Sequence, residues 1–337
     1  MWGRRRTAAL GTAAVLLAAA LSAAGQERSH VVTVAGTPAP RAYVITHDGR
    51  VQVLDTTDGR VVASANTGAW TTGAAVAPGG RRVYVVNGWA GVITAVDPVA
   101  GKVVGRIDAR AQLAQAVLRP DGERLYVTGS GAVAVVDPST FRLVAAIRAG
   151  GQPQGIAVTP DGRRLYVANA QDGTVSVLDT ETASPRTTID VEGMPQHVAV
   201  SPDGAAVYVS SLDVGEGGGT VSMIDARTDE LRWSTPVGKG AGSIAVTPDG
   251  RRVYVALNRR VAVVDTTTRA AKSLRLRAKA LAIAPGDRRV FLSSGNTATV
   301  LDSADNRVLT TFQLGGLNDG GRGVTATAIA FEPVDHS

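Results

Sequence analysis

The chain contains no cysteine among its 337 residues. That absence excludes disulfides, a lipid-modified cysteine and covalent c-type haem, which needs a Cys-x-x-Cys-His run. Aromatic residues are scarce at 4%, so Val, Ala and Gly must fill most of any core. No helical period of useful length follows residue 30, and no Gly-x-Ser-x-Gly elbow stands on a strand-to-helix turn. A nucleophilic Ser-His-Asp arrangement of that design has no support.

A strong charge of either sign is missing too. The formal net charge is +6, from 35 basic and 29 acidic residues, but Arg4, Arg5 and Arg6 sit in a terminal segment without acids. Without residues 1–24 the balance falls to 32 basic against 29 acidic, a net +3. So small an excess argues no polyanion-binding face, and nucleic acid is not an expected partner.

What is present begins with an export signature. The three arginines form a basic start, "TAALGTAAVLLAAALSAA" is an apolar run, and Ser22-Ala23-Ala24 offers small residues for cleavage. The expected organisation is a signal peptide over 1–24, a linker over 25–40 and one folded domain over 41–335. The expected location is secreted or periplasmic, or membrane-anchored should the signal remain uncleaved.

The rest of the chain is one sentence written seven times at a period near forty. All six tyrosines fall in one column, Tyr43, Tyr84, Tyr126, Tyr166, Tyr208 and Tyr254, which Phe291 completes. An aspartate column follows at Asp55, Asp97, Asp137, Asp179, Asp225, Asp265 and Asp302. Each unit holds four short β runs, as in "GIAV", "RLYVAN", "TVSVLD" and "RTTIDV", separated by turns rich in Asp, Gly and Pro. Four strands repeated this way predict an all-β, seven-bladed propeller, whose blades bury their sheet faces only against their neighbours. There is no room for a first strand before Tyr43, while "TATAIAFEP" at 325–333 is a first strand with no blade after it. That strand is expected to close the ring as the innermost strand of blade one, removing free edges.

"RRLYVANAQDGTVSVLDTET" and "RRVYVVNGWAGVITAVDPVAGKVV" resemble the YVTN-type repeat, and blade three keeps "LYVT" itself. The resemblance covers about residues 41–333 and implies a propeller. It implies no single activity, because such propellers include binding modules, cell-surface proteins and redox-associated subunits.

Residues repeated in every unit are scaffold. Seven aspartates at one turn position cannot all form one active site; a carboxylate there accepts backbone N–H bonds. Function should sit where the sentence is broken, on the face built by the loops entering each innermost strand and the loops joining second to third strands. That places Gln115, Gln154, Gln196, His197 and Lys279 at the mouth of the central channel, with Trp70, Trp89 and His47 on the same face. The two tryptophans could form a stacking platform or cap the edge of blade two. The mouth carries no carboxylate, so no metal is expected there and no cofactor is implied. In the longest in-blade insertion, "LDVGEGGG" at 212–219, Asp213 and Glu216 match no cation-binding loop.

The sequence thus points to an exported, monomeric binding or interaction scaffold that takes a protein or small-molecule ligand at the channel mouth. The alternatives are a metal-independent, lactonase-like hydrolase, for which His197 would be the base, and a non-catalytic subunit of a redox complex.

Overall fold

Runs such as Arg-Leu-Tyr-Val-Ala-Asn pair β-branched and aromatic residues with turn formers at both ends, so they extend rather than coil. The computed structural model describes residues 41–46, 48–68, 70–213, 218–284, 288–314 and 326–331. Within them lie 28 strands and a single 3₁₀ turn, Pro78–Gly80. The strands form seven four-stranded antiparallel sheets. In blade four, for example, they are Pro153–Val158, Arg164–Asn169, Thr174–Asp179 and Ser184–Asp190, from the axis outwards. The expected signal (1–24) and linker (25–40), His47, residues 214–217 and most of the tail lie outside the described residues.

Closure follows the expected route. Ala326–Phe331 pairs antiparallel with Arg41–Thr46, with Tyr43 opposite Ala330 and Val44 opposite Ile329. The last strand of the chain thereby becomes the innermost strand of blade one. Arg41–Thr46 is thereby paired along both edges, and blade one has four strands like the others.

The aromatic column is the core. Each of its seven members is at most 4% exposed. The aromatic ring of one blade packs on aliphatics of the next: Tyr166 among Val198, Val207 and Val209, and Tyr254 among Leu281 and Val290. Some hydroxyls reach across as well, the Tyr166 hydroxyl donating to Asp229 Oδ1 at 2.8 Å.

Two further columns, not evident from the sequence, recur around the ring, and the first ties four blades to the next. Two residues before the aromatic, Arg82 donates to Pro138 O at 3.1 Å and Arg289 to Thr56 O at 2.9 Å. Arg164 and Arg252 reach Ala226 O and Ser303 O in the same way, whereas blade five has Ala206 there. Four residues after each column aspartate the backbone turns left-handed, at Gly59, Gly101, Phe141, Ala183, Asp229, Arg269 and Asn306. The aspartates cap this turn. Asp179 Oδ1 accepts from the Glu181 and Thr182 amides, at 3.0 and 2.8 Å. Asp137, similarly bonded to the Ser139 side chain and backbone, is held at a pKa of about 2.

Candidate channel-mouth site

The innermost strands converge on the axis only because small residues face each other there. A Cβ on Gly155 would stand 2.6 Å from His197 Cα, so blade four approaches blade five closer than any side chain permits. Backbone irregularity then sets which side chains face the channel. In blade five the pairing shifts between Pro195 and His197, leaving Gln196 as the extra residue of a bulge. The Gln196 amide folds back onto Met194 O at 3.2 Å, and His197 faces inward.

Two cavities stack along the axis. The outer, about 740 Å³, is lined by residues 112–115, 129–131 and 152–154 together with Thr71, Thr72, Gln171 and His197. These come from the two loop classes expected to build the functional face. Five of the nine glutamines in the chain line it: Gln112, Gln115, Gln152, Gln154 and Gln171. The inner cavity, about 310 Å³, is lined by Thr72, Gln115, His197, Ser243 and Lys279 among others. Neither lining includes an Asp or Glu. Among the described residues no three His, Asp or Glu side chains converge as metal ligands would.

Gln115 and His197 belong to both cavities. Gln115 Nε2 lies 2.7 Å from His197 Nδ1. An amide nitrogen only donates, so Nδ1 accepts and the ring proton sits on Nε2. His197 is half-buried. Desolvation at the axis pushes its pKa down to about 4, so it is neutral at pH 7. Thr128, fully buried on the second strand of blade three, positions the surroundings. Its hydroxyl accepts from the Gln115 amide at 3.0 Å and donates to Gln154 O at 2.6 Å, joining the entry loops of blades three and four.

The tryptophans stand apart from this lining. Trp70 is 57% exposed, in a left-handed backbone conformation (φ 66°), and Trp89 is 74% exposed. The Gly88 amide donates to Trp70 O at 3.2 Å, so the two loops run side by side at the rim of blade two. Neither ring lines the axial cavities. Gln112, Gln152 and Gln171 were not expected at the site. The crowding of five glutamines into blades three and four was the available signal.

The family model described as outer membrane protein assembly factor BamB matches residues 47–141, 89–237 and 217–332, which together span most of the chain. The chain belongs to this family. It is a propeller-repeat family, as the strand columns require, but its description is not that of the YVTN-type repeat. Among curated proteins no sequence match was found. Among solved structures, the chain resembles Kuenenia stuttgartiensis hydrazine synthase, at 23% identity and a TM-score of 0.65. That likeness covers 69% of this chain and 77% of the other, and it shows the shared fold.

Proposed function

We propose that the protein is an exported propeller scaffold that holds a segment of another polypeptide at its channel mouth. The observation that carries this is the amide-lined cavity of about 740 Å³. Glutamine side chains donate and accept in equal measure and carry no charge, so they complement peptide backbone, which does the same. Small-molecule pockets of roughly 300–1,000 Å³ are mainly lined by apolar side chains, whereas this cavity, of similar volume, is lined by five glutamines. The family description names an assembly factor for outer membrane proteins, which supports a polypeptide ligand and export through the basic-apolar start of the chain.

Gln115, Gln154 and His197 would bind the ligand directly, with Lys279 deeper and Trp70 at the lip beside Thr71. Gln196 would act through the bulge that turns His197 inward. The hydrolase alternative has less support. His197 is oriented by an amide rather than a carboxylate, and Ser243 Oγ is engaged by the Leu281 amide at 3.2 Å and by Leu281 O at 3.3 Å.

The test is site-specific photocrosslinking in cells. A benzophenone amino acid at Gln154 should capture a polypeptide, and the product should weaken with Gln115→Ala and Gln152→Ala together. The same probe at Asp249, on a Pro-Asp-Gly turn, should capture nothing. Equal capture from both positions, or none from Gln154, would reject the proposal.

A further inference from the structure

Exposed apolar side chains are distributed unevenly around the ring. Of the large ones exposed among the described residues, all but Leu231 lie on blades seven, one, two and three. Most belong to four pairs on outer strands: Val308-Leu309, Val61-Val62, Val103-Val104 and Leu143-Val144, each residue between 36% and 54% exposed. Scattered exposed aliphatics need no explanation, but a segregated set does.

The pairs share one local cause. In each outer strand the register skips one residue, Leu309, Val62, Val104 or Val144, which is a β-bulge. A bulge sets two residues against one on the partner strand, breaking the in-out alternation and exposing neighbouring side chains together. A cation precedes every pair: Arg307, Arg60, Lys102 and Arg142. The outer strands that carry the pairs are neighbours: Gly59 of blade one abuts Phe312 of blade seven, Gly101 of blade two abuts Ser64, and Phe141 of blade three abuts Gly105.

The other blades use the same position differently. The skipped residue is Arg186 in blade four and Arg232 in blade five. Arg186 pairs with Asp229 at 3.1 Å; Arg232 pairs with Asp225 and Glu230 at 3.0 and 3.1 Å. Blade six has no skip, and Lys272 stands in its short outer strand. The skipped position is therefore aliphatic in four blades and an ion-paired arginine in two.

We propose that the flank of blades seven, one, two and three docks on an anionic lipid surface. The exposed pairs are protrusions on edge strands, which a deformable bilayer can receive. Each has a long cationic side chain beside it, able to extend to lipid phosphates while its methylenes stay in the apolar layer. Arg60 and Arg307 would exchange their exposed pairings with Asp58 and Asp305, at 3.7 and 3.8 Å, for the phosphates. Among the described residues no helix is long and apolar enough to cross a membrane; the proposed contact is of the surface type, with exposed side chains entering the interface. This inference is independent of the channel-mouth proposal, which concerns a different face.

Because the chain has no cysteine, a single introduced thiol can carry a polarity-sensitive nitrobenzoxadiazole label. Full-length Val104→Cys and Arg186→Cys proteins would be labelled and mixed with vesicles of phosphatidylcholine and phosphatidylglycerol, or of phosphatidylcholine alone. The Val104→Cys label should shift to the blue and brighten with the anionic vesicles only, while the Arg186→Cys label stays in water. Adding Lys102→Gln and Arg142→Gln should weaken that partitioning about twenty-five-fold, at about fivefold per basic side chain. A label at 104 that remains in water, or an equal response at 104 and 186, overturns the proposal. So does a shift that appears without vesicles and grows with protein concentration, since a second copy would then cover the flank.

Discussion

Gln115 and His197, separated by 82 positions in the chain, meet at the propeller axis, with the Gln115 amide donating to His197 Nδ1 at 2.7 Å. The contact joins blade three to blade five and fixes which histidine nitrogen faces a ligand. It also withdraws the lone pair that would take up a proton, reinforcing what desolvation does to this group.

A pH dependence follows. The folded pKa of His197 is about 4, against an ordinary 6.5. In that interval the unfolded chain binds a proton that the folded chain does not. This contribution is present above about 6.5, is lost as pH falls through that window, and is gone below about 4. With channel water screening part of the cost, its size is on the order of 1–3 kcal/mol. Urea unfolding of wild type and His197→Gln at neutral pH and in the acid window should show a steeper acid loss in wild type. Parallel losses would mean that His197 titrates normally.

Thr128→Val keeps the shape but removes the hydroxyl that ties Gln115 to Gln154. The expected cost is about 1–3 kcal/mol, because the Gln115 backbone N–H loses its Thr128 acceptor in a part-buried setting. Hydrogen exchange should rise at 112–115 and 152–155 while the outer strands stay protected. Unchanged exchange at those loops would contradict the role.

Tyr166→Ala should be severe and Trp89→Ala mild. Tyr166 is fully buried between blades and holds Asp229, whereas Trp89 is 74% exposed. Expected losses are roughly 3–5 kcal/mol for the first and under about 1 kcal/mol for the second. Chemical denaturation of both variants checks the division between scaffold and rim.

Ala183 occupies the left-handed position that glycine fills in blades one and two (φ 50°). Ala183→Gly should therefore be neutral or raise stability by up to about 1 kcal/mol, relief of the left-handed backbone opposing glycine's greater unfolded freedom. Substituting glycine at an ordinary strand position such as Val177, fully buried, should instead be strongly destabilising. Melting temperatures of the two variants give the comparison.

Deleting residues 326–337 should open the ring. The Arg41–Thr46 strand would lose its partner along one whole edge, and blade one its inner strand. Light scattering should report aggregation or unfolding of the truncated chain. A monomer with an unchanged melting temperature would show that closure lies elsewhere.

Most of the fold could be read from the residues because its determinants are local. The tyrosine, aspartate and turn columns each act within one blade or on the next, so a fixed period exposed them and the count of seven. The mouth could be read in part. Gln115, Gln154, His197 and Lys279 do line the axial cavities, since loop class alone places them at the axis. Gln196 does not, because the bulge at Pro195–His197 rotates it away, and bulges leave no clear mark in the sequence. Trp70 and Trp89 come out side by side at the rim of blade two, on the loops expected to build this face.

The sequence by itself determined the repeat, the number of blades, the strand that closes the ring and the residues too regular to be functional. Those follow from alternation, turn chemistry and the need to pair every edge. The tertiary structure alone decided that five glutamines share one cavity, that His197 takes its hydrogen bond from Gln115, and that four outer strands present aliphatic pairs on one flank. These depend on register and on blades brought together from distant parts of the chain, where a shift of one residue reverses the direction in which a side chain points.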